Sequence, residues 1–464
     1  MNLRDYRHVH FVGIGGIGVS ALAEIAKSQG ITVTGSDMKS SEVTDLLERN
    51  GIRVYIGHDA ENVLDADLVV YSTAVSQENP ELVKAREMMI PVLTRAEALG
   101  AIMENYKTSI AVSGTHGKTT TTSMVSLILE NAKYDPTVLV GGILHEFNSN
   151  VSVGDSEYFV TEACEYMDSF LNLKPFAEII LNIDEDHLDY FKNINHIEES
   201  FKEFASHVPD NGFIVAYDAN PYVKMATEQL KCKVITFGLN EGSTYYAKNI
   251  AFDEFGNASY EVYTKKKKLG DIHLCIPGMH NITNSLAAIA TCHKLGVSME
   301  IICQTLESFT GTQRRFDIIG KTSTGFTLID DYAHHPTEIK ATLSAAQQRS
   351  HSSVWCLFQP HTYTRTLALM DEFADAFENA DHVVLAEIYA AREKNIYKLS
   401  SRKLVEVIKE KHPTKDVCFF KDFESIADFA YNNAVEGDIV ITMGAGDIFK
   451  VGKMILEKDK NNSR

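Results

Sequence analysis

The sequence of 464 residues predicts an α/β protein of three domains, each built on a largely parallel sheet. Two observations support this prediction. Apolar segments of strand length alternate with helical segments along most of the chain, and glycine-rich turns follow two of those strands. Alternation of this kind is typical of parallel sheets covered by helices. At roughly 150 residues per domain, the length suggests about three domains.

The first predicted domain, residues 1–106, is a Rossmann-like parallel sheet. Strands are expected at residues 8–12, 31–35 and 68–71, with helices at 18–29 and 42–50. The first turn reads Gly13-Ile14-Gly15-Gly16-Ile17-Gly18, and Asp37 ends the second strand. Glycines between a strand and a helix let a diphosphate approach the backbone closely. The turn therefore suits either a dinucleotide or a nucleotide sugar.

The second predicted domain, residues 107–312, is a P-loop ATPase-type α/β domain. It begins with Val112-Ser113-Gly114-Thr115-His116-Gly117-Lys118-Thr119-Thr120, after a strand and before a helix expected over 119–130. Backbone N–H groups in such a loop hold an anion with help from the helix dipole. Lys118 is expected on the outer phosphates and the Thr119 hydroxyl on Mg²⁺. The spacing is shorter than the usual P-loop, so a plain polar turn is the alternative.

Two acidic clusters follow apolar strands of the second domain. Glu162 and Glu165 follow the strand at 158–160, and Asn182-Ile183-Asp184-Glu185-Asp186-His187-Leu188-Asp189 follows the strand at 177–181. Ligands gather beyond the carboxyl ends of strands in open α/β sheets, so both clusters should face the loop that carries Lys118. Glu162 and Thr119 could supply oxygen ligands to Mg²⁺, with Glu165 competing for the role of Glu162. From spacing alone, His187 suits a hydrogen-bonded structural role as well as a metal.

The third predicted domain, residues 313–464, returns to Rossmann-like alternation without a phosphate loop. Strands are expected at 326–329, 354–358, 383–385 and 439–442, with helices at 337–349 and near 366–379. The tail at 457–464 is expected to fray. In the second domain, the run of lysines at 265–268 is expected at a solvated hairpin tip.

Three polar segments around the junction of the second and third domains are candidates for chemistry. Residues 276–284 place Asn281 at the start of a helix, and residues 311–316 carry the two guanidinium groups of Arg314 and Arg315. Residues 330–338 read Asp-Asp-Tyr-Ala-His-His-Pro-Thr-Glu, with two acids, a tyrosine and two histidines in one strand-to-helix turn. A capped helix or a surface salt bridge could explain each segment alone. The three together favour a binding site.

Composition excludes several classes of protein. A formal charge of −19 argues against general nucleic-acid binding, because the phosphate backbone attracts basic surfaces. We see neither an apolar leader nor an apolar run long enough to span a membrane, so neither export nor membrane insertion is expected. The seven scattered cysteines form no Cys-x-x-Cys pair, which favours a reducing cytoplasm.

Seven motifs in this order resemble the ATP-dependent Mur ligase family of peptidoglycan synthesis, over nearly the whole chain. They lie at residues 13–18, 114–120, 182–189, 277–281 (Pro-Gly-Met-His-Asn), 314–316, 330–338 and 359–365 (Gln-Pro-His-Thr-Tyr-Thr-Arg). The resemblance implies that the first domain binds a UDP sugar, that the second binds MgATP, and that the third closes over the nucleotide with the amino acid. It implies UDP-N-acetylmuramate and L-alanine as substrates, joined through an acyl phosphate.

The resemblance also implies a role for each candidate residue. The UDP substrate would lie on Gly13, Ile14, Gly15, Gly16, Ile17, Gly18, Asp37 and Ser72. ATP would contact Gly114, Thr115, His116, Gly117, Lys118, Thr119, Thr120, Asn281 (at adenine), Arg315 and Asp331. The amino acid would lie among Tyr332, His334 and Arg365, with Arg365 facing its carboxylate. Metal ligands would be Thr119, Glu162 and His187, and the catalytic set would be Lys118, Glu162, His187 and Arg315.

Two departures from the family pattern limit this transfer. Many relatives have arginine where this chain has Thr362, so the amino-acid carboxylate would meet one guanidinium fewer. Several carry a carbamylated lysine where Phe201 fits best, and Lys202 is the nearest lysine.

Two other functions stay open: a recycling ligase that attaches a whole tripeptide to the same UDP sugar, and an NAD-dependent oxidoreductase. A monomer or weak homodimer is expected.

Overall fold

The computed structural model describes residues 2–144, 149–188 and 190–462, which form two compact units that interleave along the chain. The first unit comprises Met1–Gly114, Val125–Asn182 and Glu198–Ile235, and the second comprises Thr115–Met124, Ile183–Ile197 and Thr236–Arg464. Within the described residues, no helix is both long and apolar enough to cross a membrane.

The first unit opens with a five-stranded parallel sheet. Its strands are β1 (His8–Val12), β2 (Thr32–Asp37), β3 (Arg53–Ile56), β4 (Leu68–Tyr71) and β5 (Val92–Thr94), in the order β3-β2-β1-β4-β5. The helices between them are α1 (Ile17–Ser28), α2 (Glu42–Arg49), α3 (Pro80–Glu87) and α4 (Arg95–Met103), with short 3-10 turns at Leu3–Asp5 and Ala60–Val63. This is the predicted Rossmann-like sheet.

Capping side chains fix where two of these helices begin. Before α4, the Thr94 hydroxyl accepts from the Glu97 backbone N–H at 3.2 Å, and the Glu97 carboxylate accepts from the Thr94 N–H at 2.7 Å. Ser41 and Thr44 form the same reciprocal pair before α2. Each pair satisfies backbone donors that the first helical turn leaves open. These capping pairs therefore fix the first residues of α2 and α4.

The first unit also contains the strands that lead into the phosphate loop. They are β6 (Thr108–Ser113), β7 (Thr137–Leu144), β8 (Ser149–Ser152), β9 (Tyr158–Glu162), β10 (Ala177–Ile180) and β11 (Phe213–Tyr217), in the order β11-β10-β6-β9-β7-β8. All the described pairs are parallel except β7 with β8. Val112 pairs with Glu162 and Ser113 with Ile180, so the carboxyl ends of β9 and β10 flank the start of the loop.

Three helices accompany these strands. α5 (Lys118–Asn131) and α6 (Ile194–Ala205) cross the boundary between the two units, and α7 (Pro221–Ala226) lies in the first. A further 3-10 segment covers Tyr166–Asn172. The aromatic ring of Phe170 in that segment stacks on Phe204 at 4.5 Å and meets Phe201 edge-on at 5.1 Å. Phe201 is therefore a core residue, whereas Lys202 is exposed.

The second unit contains an antiparallel layer and a pair of helices. β12 (Lys233–Gly238) crosses the unit boundary, and its end pairs in parallel with β13 (Tyr245–Phe252). β13, β14 (Asn257–Thr264) and β15 (Lys267–Pro277) are antiparallel, and α8 (Met279–Lys294) and α9 (Met299–Ser308) follow. Lys265 and Lys266 form the turn between β14 and β15, as the hairpin prediction requires.

A six-stranded sheet completes the second unit. Its strands are β16 (Asp317–Lys321), β17 (Thr327–Asp331), β18 (Val354–Phe358), β19 (His382–Leu385), β20 (Asp416–Phe419) and β21 (Ile439–Met443), in the order β16-β17-β21-β18-β19-β20. Only β16 is antiparallel to its neighbour. The helices are α10 (Pro336–Gln347), α11 (Tyr363–Ala368), α12 (Met370–Ala374), α13 (Ser401–Lys411), α14 (Phe423–Asn433) and α15 (Phe449–Asn462).

Two hydrophobic clusters pack against this sheet, and alternating residues of β18 divide between them. Cys356 and Phe358 belong to one cluster, while Trp355 and Leu357 belong to the other. Side chains of a strand alternate between the two faces of its sheet, so helices cover both faces here. The α/β class predicted for the third domain is confirmed.

Two sequence expectations for this region are wrong. The helix expected near 366–379 is two short helices, α11 and α12. The tail expected to fray is helical through Asn462, while Ser463 and Arg464 lie outside the described residues. Asp459 secures the tail, because its carboxylate accepts from the Ser323 backbone N–H at 2.9 Å and from the Tyr431 hydroxyl at 3.2 Å.

Candidate active site

The glycine turn after β1 is held by two residues of β2. The backbone N–H groups of Gly13 and Ile14 donate to the Ser36 carbonyl at 2.8 and 3.0 Å, and the Gly15 N–H donates to Asp37 Oδ2 at 2.9 Å. A side chain at Gly15 would lie 2.9 Å from the same carboxylate oxygen, which explains the glycine there. The predicted Asp37 therefore lies at the turn, bound to one of its N–H groups.

Ser72, the last residue predicted for the UDP substrate, lies beside the same turn. Its backbone N–H donates to the Val12 carbonyl at 3.1 Å. Gly13 has φ +79°, and a Cβ on it would lie 3.3 Å from Ser72 Cβ. The structure thus brings the predicted glycine turn, Asp37 and Ser72 into one place in the first unit.

A buried carboxylate that the sequence reasoning missed lies beneath the turn. Glu81, on α3, accepts from Ser36 Oγ at 2.7 Å, from Asn62 Nδ2 at 2.7 Å and from His58 Nδ1 at 2.8 Å. Burial opposes ionisation, but the nearby His10 ring and the hydrogen bonds from Ser36 and Asn62 lower its pKa below the usual value. Because Ser36 supplies the carbonyl that holds the turn, Glu81 supports the turn from below.

The phosphate loop begins in the first unit with a glycine whose backbone conformation would strain any other residue. Gly114 has φ +132°, and a Cβ on it would lie 3.0 Å from Leu181 Cβ and 3.1 Å from the Asn182 nitrogen. Glycine adopts this backbone conformation without steric cost. At the end of β9, Glu162 is partly exposed and accepts from the Gly141 N–H at 2.6 Å, whereas Glu165 is buried.

The rest of the loop belongs to the second unit and is folded onto itself. The Thr115 hydroxyl oxygen accepts from the Asp184 backbone N–H at 2.9 Å, and Lys118 Nζ donates to the Thr115 carbonyl at 3.1 Å. Gly117 has φ +85°, and its carbonyl accepts from the Thr121 N–H at 3.0 Å. Thr119 and Thr120 are buried at the start of α5. The strand, glycine turn and helix predicted from the sequence are all present.

His116, at the centre of the loop, lies between two carboxylates. Its Nε2 is 3.4 Å from Asp184 Oδ2, and its Nδ1 is 3.3 Å from Glu338 Oε1 on α10. Burial disfavours the charged ring, but the hydrogen bonds to Asp184 and Glu338 outweigh it and raise the pKa of His116 to about 9. The ring is therefore an imidazolium near neutral pH, which adds a cation to the loop beside Lys118.

The ligand atoms of His116, Asp184 and His335 lie within 4.8 Å of one another, close enough to share a metal ion. Hydrogen bonds already engage them: His335 Nε2 lies 2.9 Å from the Glu185 carbonyl, and the Thr337 hydroxyl donates to Asp184 at 2.9 Å. The hydrogen bond from His116 is the main reason that the pKa of Asp184 falls to about 2. We therefore describe the cluster as an ion pair rather than a metal centre.

The predicted metal ligands are divided between the units. Glu162 belongs to the first unit, whereas Thr119 and His187 belong to the second. His187 has φ +54°, and its Nε2 lies 3.8 Å from Asp186 Oδ2. Asp189, which ends the predicted acidic motif, lies outside the described residues. The metal set stays a prediction.

Arg365, predicted to face the amino-acid carboxylate, is bound to a carboxylate of the protein. Its Nε and Nη2 donate to Asp186 Oδ1 at 2.9 and 2.8 Å. Burial opposes the ionisation of Asp186, but the charge of Arg365 dominates and holds its pKa far below the usual range. Within the described residues, the Arg365 guanidinium therefore already pairs with a carboxylate. A carboxylate is also the group that the predicted amino-acid ligand would present to it.

The other residues of the predicted amino-acid site lie together at the carboxyl end of β17. His334 Nδ1 lies 3.0 Å from the Tyr332 carbonyl, and the His334 and Tyr332 ring centres are 5.4 Å apart. The Arg315 guanidinium lies 5.1 Å from the centre of the Tyr332 ring. Asp331 accepts from the Phe316 and Ala333 N–H groups, both at 2.7 Å.

Asn281, the predicted adenine contact, is engaged by two nearby residues, one before its helix and one within it. Its Nδ2 donates to the Pro277 carbonyl at 2.7 Å, and its Oδ1 accepts from Asn284 at 3.0 Å. Gly278, with φ +100°, precedes the helix. The side chain is buried, and the contact with adenine stays a prediction.

Family models match three consecutive segments of the chain. The model described as Mur ligase family, catalytic domain, covers residues 8–107, the Mur ligase middle domain covers 112–292, and the Mur ligase, glutamate ligase domain, covers 314–446.

Curated proteins of high similarity extend along nearly the whole chain. The chain is 50% identical over 456 residues to a UDP-N-acetylmuramate–L-alanine ligase of Acetivibrio thermocellus, covering 98% of this chain and 96% of the relative. It is 49% identical over 460 residues to the enzyme of the same name from Caldanaerobacter subterraneus, covering 99% of each.

Solved structures give the same picture. A UDP-N-acetylmuramate–alanine ligase of Thermotoga maritima matches with a TM-score of 0.82 and 30% identity, covering 98% of this chain and all of the other. A murein peptide ligase of Psychrobacter arcticus matches with a TM-score of 0.73 and 25% identity, covering 98% and 99%.

Proposed function

We propose, because the chain belongs to the Mur ligase family, that it joins L-alanine to the lactyl carboxylate of UDP-N-acetylmuramate in an ATP-dependent reaction. The observation that carries this proposal is the identity of about half of all residues, over nearly full length, with enzymes of that name. The three matched segments support boundaries near residues 106 and 312. We place the UDP substrate in residues 1–106, MgATP in 107–312 and the amino acid in 313–464.

The chemistry requires two steps, each of which forms one bond and breaks another. A carboxylate oxygen of the sugar attacks the γ-phosphorus of ATP, ADP leaves, and an acyl phosphate forms. The uncharged amine of L-alanine then attacks the acyl carbon, inorganic phosphate leaves, and the amide forms with the loss of a proton. The first step joins two anions, and the second brings the carboxylate-bearing amino acid to an acyl phosphate, so positioning and cations dominate catalysis.

The cations of the second unit suit this task. Lys118 and the His116 imidazolium lie two residues apart on the phosphate loop, and Arg315 lies beside Tyr332. We assign Lys118 to the outer phosphates, Arg315 to the nucleotide and Arg365 to the alanine carboxylate, with Tyr332 and His334 around the amino acid. For Arg365, the substrate carboxylate would take the place of Asp186 or join it.

Mg²⁺ is expected with the nucleotide, and we assign its ligands by the chemistry of the residue types alone. A hard cation takes oxygen ligands, which Thr119 and the partly exposed Glu162 can supply, with His187 as a nitrogen ligand. When bound, the ion offsets phosphate charge. Of the two competing acids, we favour Glu162 over Glu165, because Glu165 is buried.

A second candidate function is the recycling reaction, because a murein peptide ligase is among the similar structures. A recycling ligase would attach L-alanyl-γ-D-glutamyl-diaminopimelate to the same sugar carboxylate. We favour L-alanine, since the curated relatives at higher identity carry that name. We expect the enzyme to act in the cytoplasm, as a monomer or weak homodimer.

Phosphate release tests the proposal. The purified protein is expected to release phosphate from ATP only when both UDP-N-acetylmuramate and L-alanine are present. Equal turnover with the tripeptide would favour the recycling reaction, and a change in nicotinamide absorbance without ATP would overturn both. Lys118→Ala should abolish turnover and retain UDP-substrate binding in calorimetry, whereas the exposed control Lys224→Ala should behave like the wild type.

A further inference from the structure

We infer that His116 and Glu338 form a direct link through which the phosphate loop positions the amino-acid site, so that nucleotide and L-alanine bind cooperatively. The inference rests on the proposed function, since it assumes ATP at the loop and an amino acid near His334. Both residues belong to the second unit. They are positioning residues, because neither is required to touch a reacting atom.

The loop side of the link is a histidine held at both ring nitrogens. Asp184 Oδ2 lies 3.4 Å from Nε2, and Glu338 Oε1 lies 3.3 Å from Nδ1. Facing a carboxylate at each nitrogen requires an N–H at each, which only the imidazolium has. His116 follows Gly114 by two residues and precedes Lys118 by two, so a change in the loop around phosphates also moves this ring.

The amino-acid side of the link is one carboxylate with two tasks. While Glu338 Oε1 faces the loop, Oε2 accepts from the His334 backbone N–H at 3.0 Å and from the His335 N–H at 3.4 Å. Oε2 also lies 3.4 Å from His334 Nδ1. The carboxylate therefore holds the backbone at His334, a residue assigned to the amino acid, while the ring Nδ1 of His334 faces the Tyr332 carbonyl at 3.0 Å.

The contact spans 222 positions of sequence yet involves only two side chains. The bond is charge-assisted and only slightly exposed, with 15% of each side chain accessible to solvent. Hydrogen bonds to charged groups are stronger than neutral ones and are sensitive to the loss of either partner. A shift of His116 would therefore draw Glu338 away from His334, or leave the carboxylate without its hydrogen-bonded cation.

Cooperative binding is reciprocal, so the link makes a two-sided prediction. If bound nucleotide tightens L-alanine binding, L-alanine must tighten nucleotide binding by the same factor. Glu338→Gln and His116→Asn each remove the charged contact. Each is expected to raise KM for L-alanine by on the order of tenfold, the size expected for one hydrogen bond to a charged group, with a smaller change in kcat.

The experiment is a double-mutant cycle in the phosphate-release assay. We expect KM for L-alanine in the double variant to be no higher than in the weaker-binding single variant, because all three variants break the same link. Any loss that His116→Asn causes through the phosphates is read separately, as a change in KM for ATP. In parallel, calorimetry with a non-hydrolysable ATP analogue should show weaker L-alanine coupling in each variant. Thr337→Val is the matched control: it removes the neighbouring hydrogen bond to Asp184 and leaves the His116–Glu338 contact in place.

Three outcomes would overturn the inference: an unchanged KM for L-alanine in the single variants, additive losses in the double variant, or an equal loss in Thr337→Val. The last would show that the whole start of α10 has loosened. Thermal unfolding of each variant excludes loss of folding. A wild-type enzyme that needs no L-alanine for phosphate release would instead sink the proposed function.

Discussion

Glu178, in the middle of β10, supplies a prediction whose size can be worked out from its surroundings. Ser113 Oγ lies 2.8 Å from Glu178 Oε1 and 2.9 Å from the Ile179 carbonyl. A hydroxyl has one proton and cannot donate to both oxygens. The arrangement is satisfied if Glu178 is protonated and donates to Ser113, which then donates to Ile179. Glu178 is fully buried, and its second oxygen has no hydrogen-bond partner among the described residues.

The pKa of Glu178 sets the magnitude. Burial raises it to about 8, even with the opposing effect that donation from the Ser113 hydroxyl to an ionised Glu178 would have. In the unfolded chain a glutamate has a pKa of about 4.3. Between these values the folded state keeps a proton that the unfolded state has lost, so stability falls as the pH rises. The slope is about 1.4 kcal/mol per pH unit, and the loss from pH 5 to pH 8 is about 4 kcal/mol.

Glu178→Gln removes the titration and keeps a donor for Ser113. Hydrogen exchange with peptide resolution measures the free energy of opening of β6 and β10. In this variant it should exceed the wild-type value, by a margin that grows steadily up to pH 8. Comparing the variant with the wild type at the same pH cancels the intrinsic dependence of the amide exchange rate on pH. The exposed Glu203→Gln serves as control and should follow the wild type. A constant difference between wild type and Glu178→Gln would refute the reasoning, since Glu178 would then be ionised throughout.

Three further predictions follow from the same contacts. Gly114→Ala should abolish binding of an ATP analogue and leave UDP-substrate binding intact, because its Cβ would meet Leu181; calorimetry with both ligands checks this, and retained analogue binding would contradict it. Phe170→Ala should cost about 3–5 kcal/mol of stability, because the ring is buried against Phe201 and Phe204; a thermal midpoint close to the wild type would show that the cavity collapses. Arg365→Lys should raise KM for L-alanine by about tenfold or more, because lysine cannot bind a carboxylate through two N–H groups; an unchanged KM would move the amino-acid carboxylate elsewhere.

The parts that could be predicted from the sequence are local ones. The turns at residues 13–18 and 114–120 lie where glycine, strand and helix signals coincide, and their helices begin within a residue or two of the expected positions. The acidic motif after β10 and the turn before α10 were likewise recognisable. In these cases the residues that determine the geometry are neighbours in the sequence.

The roles of the buried carboxylates Glu81 and Glu178 could not be predicted, because their hydrogen-bond partners lie far away along the chain. Glu81 meets Ser36 across 45 positions, and Glu178 meets Ser113 across 65. In the sequence each is one more acid in a strand or helix, with nothing to show that it is buried. The pairing of Arg365 with Asp186, 179 positions away, is hidden in the same way. Asn281 is different, since its amide bonds are local, to Pro277 and Asn284, and its contact with adenine stays a prediction.

The two glycine turns are supported in a similar way. Below the turn at residue 13, Glu81 bonds Ser36, whose carbonyl holds the Gly13 and Ile14 N–H groups; below the loop at residue 114, Glu178 bonds Ser113, which precedes Gly114. A carboxylate beneath an anion site would repel the ligand it serves. Glu81 limits this because hydrogen bonds from Ser36, Asn62 and His58 disperse its charge. Glu178 faces no cation in any contact that the structure describes, so its proton must do the same task. Above pH 8 the first support should therefore persist and the second should fail, which would weaken the binding of ATP before that of the UDP sugar.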